Sequence, residues 1–108
     1  MQNSGDTAPE WLEGDKKLFS GIKNIFIKNV PSQMERLKDA FASNDISTIE
    51  LLSHSIKGAA AMIGAMPLKE EAGKVEQAAM ESDLDNARVC FEGMEREFKK
   101  TLSALQSS

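Results

Sequence analysis

The chain has no tyrosine, a single cysteine, a single histidine and three prolines among its 108 residues. One cysteine, Cys90, excludes an internal disulfide, and with no second histidine there is no zinc-type cluster. No apolar run approaches the length of a membrane span, and nothing resembles the hydrophobic stretch of a secretory leader. Lysine and arginine are scattered, and 13 basic residues against 17 acidic ones give a formal charge of −4. That balance argues against nucleic acid as a partner. No GxxxxGK[ST] loop or kinase-type glycine loop is present, so the chain carries no recognisable nucleotide site. The expectation is a reduced, soluble, cytoplasmic domain that binds neither nucleic acid nor membrane and acts as a monomer.

What remains is a helical pattern. Leu18, Ile22, Ile25, Phe26, Val30, Met34, Leu37 and Phe41 recur at steps of three and four, which predicts a long helix with these residues facing a core. Its apolar phase continues across Pro31, so one kinked helix is expected rather than two. "SNDIS" ends it, and Asp45 is a good N-cap for a second helix over about 46–65. "GAMP" breaks that helix, and Pro67 suits the start of a third, whose stripe is Leu68, Ala72, Val75 and Ala79. "ESDLD" makes the next turn, with Asp83 or Asp85 as cap. Phe91, Met94, Phe98, Leu102 and Leu105 then line a fourth helix.

Short connections make successive helices antiparallel neighbours. The predicted fold is therefore all-α: an antiparallel up-down four-helix bundle over residues 15–106, with 1–14 as a tail or short capping helix. Within that extension "PEWLEGD" could form one turn that packs Trp11 and Leu12 onto the bundle.

The lone histidine lies in "HSIKGAAAMIGA", residues 54–65. Counting 100° per residue, Ile49, Leu52, Ile56 and Ile63 fall roughly 160–220° from His54, so the ring points outward. Sharing its face are Ser47, Glu50, Leu51, Lys57, Gly58, Ala61 and Ala65. Glycine inside a helix costs about 1 kcal/mol relative to alanine. Small residues beside an exposed imidazole make sense if another surface approaches closely; alternatively they serve tight helix packing.

Imidazole is a competent nucleophile near neutral pH, and Lys57 on the same face can offset charge on a phosphoryl group. A carboxylate that accepts a proton from one ring nitrogen leaves the other with a free lone pair. Glu50, one turn earlier, and Glu76 on the third helix are the candidates. Counting outward from the turn at Met66 places Glu76 at the height of His54, which favours it. Ser53 and Ser55 do not suit a Ser-His arrangement and are expected to bond back to helix carbonyls.

"HSIKGAAAMIGA" resembles the signature of histidine phosphotransfer domains: a His, an apolar residue, Lys-Gly, small residues and a later Gly. "HSIKG" is especially similar to the phosphotransfer domain of chemotaxis histidine kinases. The resemblance extends to layout over about residues 15–105. It implies a four-helix bundle that carries a phosphoryl group on one imidazole and exchanges it with an aspartate of a response-regulator receiver domain. By this resemblance His54 is the phosphoacceptor, Lys57 the neutralising lysine and Gly58 the glycine that admits the receiver. The position that orients the imidazole, Gln in many members and Glu in chemotaxis-type ones, aligns with Glu76. Leu51, Ala61, Met62 and Ala65 would complete the docking surface. The implied partners are a receiver and an upstream hybrid sensor histidine kinase. No cofactor is expected in this chain, Mg²⁺ belonging to the receiver, and no kinase activity of its own. The competing reading is a bundle used only for docking or scaffolding.

Overall fold

The computed structural model describes residues 16–107; the tail or capping helix expected over 1–14, with Trp11 and Leu12, lies outside the described residues. Four helices follow one another: α1 (Lys16–Ala42), α2 (Ile46–Met62), α3 (Met66–Met80) and α4 (Leu84–Ser107). They form an up-down bundle, α2 packing on α1 and α3, and α4 on α3. No strand occurs among the described residues. α1 runs through Pro31 as one helix, because proline removes a single backbone donor while the apolar stripe on both sides stays packed.

All three turns are the same device. Asn44, Gly64 and Ser82 each take positive φ (56°, 78° and 56°). Around each, one amide reaches back five residues and its predecessor three: Asp45 to Ala40 and Asn44 to Phe41, Ala65 to Ala60 and Gly64 to Ala61, Asp83 to Ala78 and Ser82 to Ala79. This left-handed cap satisfies the last carbonyls of one helix and reverses the chain within three residues. The residue after it then caps the next helix. Asp45 accepts from the Thr48 amide and hydroxyl, and Asp83, rather than Asp85, accepts from the Asn86 amide. Ala65 has no capping side chain, and Pro67 in the first turn of α3 removes one donor that would otherwise need a partner. Only glycine takes positive φ without steric cost. Ser82→Gly is therefore expected to raise stability by about 0.5–1 kcal/mol, read as a shift in the urea midpoint at unchanged slope.

The core is built from Phe26, Val30, Leu37 and Phe41 of α1, Ile49, Leu52 and Ile56 of α2, Leu68, Ala72 and Val75 of α3, and Ala87, Phe91 and Met94 of α4. Phe41 stacks on Phe91, centroids 4.8 Å apart. Arg88 lies over the Phe41 ring and hydrogen-bonds Asn44, so the α1–α2 turn is pinned to α4.

Two expectations need correction. Leu18 and Ile25, placed in the core stripe, are 54% and 60% exposed. With 27 residues α1 is about 40 Å long against about 25 Å for α2, so its first turns overhang the α2–α3 turn. At the same end Phe98, Leu102 and Leu105 of α4 are only half-buried. Secondly, α2 ends at Met62. Ile63 and Ala65 therefore belong to the turn, and both pack against the core, half-buried.

Candidate functional site

His54 stands midway along α2 with its side chain 66% exposed, opposite the buried Ile49, Leu52 and Ile56. Its neighbour Ser53 is wholly buried, and its hydroxyl donates to the Ile49 and Glu50 carbonyls. That bond disposes of the one polar group the helix turns inward, so nothing pulls the imidazole toward the core. Ser55 behaves differently from the expectation. Its oxygen accepts from the Gln33 side chain at 3.0 Å, which ties α2 to α1 beside the site.

The structure brings His54, Lys57 and Glu76 together. Glu76 reaches across from α3, its side chain only 13% exposed, and each of its oxygens takes one partner. Oε2 lies 2.7 Å from His54 Nδ1, and Oε1 lies 2.6 Å from Lys57 Nζ. Partial burial pushes the Glu76 carboxyl up, but the hydrogen bonds from Lys57 and His54 and the lysine's charge outweigh it and hold the group below its ordinary value. The carboxylate is thus ionised at neutral pH and can only accept. Nδ1 must carry the proton, and in the neutral ring the lone pair then sits on Nε2, facing water. Glu50, the other carboxylate considered, makes no hydrogen bond or ion pair with the ring. It lines an open recess with Ser47, Leu51, His54 and Glu76.

The two flanks of the histidine differ. Towards α3 lie the charges of Lys57 and Glu76. Towards α1 lie Leu51 and Met62, 65% and 69% exposed. Met62 continues into an apolar groove lined by Ile22, Ile25, Phe26, Val30 and Ile63. Ile25 is the residue the sequence reading missed on this side, having assigned it to the core. Gly58 and Ala61 are exposed between the flanks. Among the described residues outside its own turn of helix, a Cβ added at Gly58 would meet nothing within 4 Å, so packing between the helices gives no reason for glycine there. Ala65 sits in the α2–α3 turn, half-buried against the core.

Among the described residues no group of three His, Cys, Asp or Glu side chains could hold a metal ion. Nor is any described helix long and apolar enough to cross a membrane. The arrangement offers one oriented imidazole with a free nitrogen, an ammonium beside it, and cleared ground around both.

No curated protein and no solved structure matches the chain. Residues 21–108 match the Hpt domain family, a span that begins within α1 and takes in every residue of the site. With most of its length accounted for in this way, the chain belongs to the histidine phosphotransfer family, whose members pass a phosphoryl group in two-component phosphorelays.

Proposed function

We propose that this domain is a phosphocarrier whose phosphoryl group rides on Nε2 of His54 and is exchanged with the aspartate of a response-regulator receiver. The observation that carries the reading is the hydrogen bond from His54 Nδ1 to a carboxylate held ionised. It fixes the tautomer in which the solvent-facing nitrogen is the nucleophile.

The step balances simply. The Nε2 lone pair attacks phosphorus in the receiver's aspartyl phosphate, an N–P bond forms, and the bond from phosphorus to the carboxylate oxygen breaks. The aspartate leaves as a carboxylate. The ring becomes a phosphoimidazolium that keeps its Nδ1 proton, and Glu76 faces the positive charge that develops. Transfer in the other direction retraces the same path. Lys57 has three N–H donors and Glu76 occupies one, which leaves the others for oxygens of the transferred group. Positioning and electrostatics are most of what phosphoryl transfer needs, so a small domain suffices. Gly58, Leu51, Ala61 and Met62, extended by Ile25 of α1, form the surface on which a receiver would sit. A hybrid sensor kinase is the upstream partner in this reading, and the chain carries no kinase site of its own.

Incubation with a receiver radiolabelled on its aspartate tests the proposal. The expected result is an acid-labile label on this chain, mapped to residue 54 by mass spectrometry. Failure to take label from a panel of receivers would favour the docking or scaffolding module instead. Label acquired from ATP with no kinase present would overturn the carrier assignment from the other side.

A further inference from the structure

To reach Glu76, Lys57 must lay its stem against α3. The Cβ that Gly73 lacks would stand 3.5 Å from Cδ of Lys57. Gly73 lies in the middle of α3, and its φ is not in the left-handed region. The backbone therefore does not require glycine, and a glycine inside a helix weakens it. Apart from that lysine carbon and its own turn of helix, no described residue comes within 4 Å of the added Cβ, so core packing does not require it either. What the missing side chain leaves open is a lane for a lysine. Gly73 and Glu76 are three residues apart on one face of α3, and the stem that passes the first ends with its ammonium 2.6 Å from the second.

We propose that Gly73 is a positioning residue: with no group beyond the Cβ site, it leaves open the lane in which Lys57 lies across α3 with Nζ on Glu76, beside the His54 ring. The inference rests on the reading of His54 as phosphoacceptor, and it says how the neutralising charge is held there before a phosphoryl group arrives. Lys57 is about one-third exposed, and a free lysine stem on a helix surface samples many rotamers. The lane narrows that choice. Isoleucine at position 73 would add two γ carbons beyond a Cβ that already stands 3.5 Å from the stem, and is expected to crowd it. A methyl group alone would make ordinary van der Waals contact.

The test uses the full chain and the variants Gly73→Ile, Gly73→Ala and Lys57→Met. The ¹³C titration of the Glu76 carboxyl, followed without any receiver, reads the lysine's presence directly. Gly73→Ile is expected to raise the Glu76 midpoint as far as Lys57→Met does, while Gly73→Ala leaves it at the wild-type position. A Gly73→Ile midpoint equal to wild type overturns the proposal. In transfer from a labelled receiver, Gly73→Ile should slow the reaction to the extent that Lys57→Met does, and the double variant should be no slower than either. Multiplying rate losses would mean that position 73 acts on the receiver or the fold, which also overturns it. Should the wild-type chain take no label at all, the reading of His54 fails, and the titration still decides the role of Gly73.

Discussion

A chain carrying His54→Ala is expected to take up no phosphoryl label, and one carrying Glu76→Leu to take it up at least about tenfold more slowly. The first result follows from there being one imidazole in the chain. The second has two sources. Without the carboxylate the Nδ1 proton is free to move to Nε2, which removes the lone pair from the solvent-facing atom in part of the population. The positive ring formed on phosphorylation also loses a charged hydrogen-bond partner, and such bonds contribute about 1.5–3 kcal/mol, or roughly ten- to a hundredfold. With His54 two-thirds exposed, water replaces part of that, so the lower end applies. Glu76→Gln separates the two sources. Its amide oxygen still accepts from Nδ1–H, and the loss should be smaller than for leucine. Single-turnover rates against a labelled receiver check all three; equal rates for wild type and Glu76→Leu would remove the carboxylate from the mechanism.

The same carboxylate leaves a mark on stability. Its folded-state value lies below the ordinary 4.5, so the folded chain binds the proton less readily than the unfolded one. The contribution is therefore present in full above about pH 4.5 and is lost as pH falls through the depressed folded value. The stability difference between wild type and Glu76→Gln, measured in urea from pH 7 down to pH 3, should shrink over that acid window only.

Much of this arrangement was legible in the sequence, and the parts that were not share a cause. Helix order and the turns could be read because Asn44, Gly64, Ser82 and the capping aspartates act locally. The height of Glu76 beside His54 follows from counting outward from a short turn. Leu18 and Ile25 were misplaced because recurrence at three and four residues was counted without its angle. At 100° per residue Ile25 lies about 130° from the centre of the Phe26–Val30–Leu37–Phe41 stripe, which a wheel would have revealed. Phe19 is a different case. The sequence reading did not include it; it lies on the stripe yet is 37% exposed, in the first turns of α1 that overhang the end of α2. The Lys57–Glu76 contact was not foreseen for a similar reason: which carboxylate a lysine meets is decided by the packing of two helices. Gly73 carried no signal until the lysine was seen crossing it.

Gly58→Gln is expected to make the domain more stable and a worse carrier at once. Among the described residues, apart from its own turn of helix, nothing lies within 4 Å of a Cβ at this position, so the Cβ itself meets no clash there. Glutamine is a good helix former, and replacing a mid-helix glycine should add about 0.5–1 kcal/mol to unfolding free energy. Were stability the only demand, glycine would be a poor choice. The position lies one turn beyond His54 and about 40° around the helix from it, on the ground that, in the proposed exchange, a receiver would cover to bring its aspartate in line with Nε2. A side chain of five heavy atoms there holds the two backbones apart, and in-line transfer tolerates little misplacement: about 1 Å can cost a hundredfold. The second-order transfer rate should therefore fall by at least about tenfold while the urea midpoint rises. Opposite signs in the two measurements are the signature of a residue kept small for a partner. A rise in stability with an unchanged transfer rate would instead leave the ground around His54 without a function.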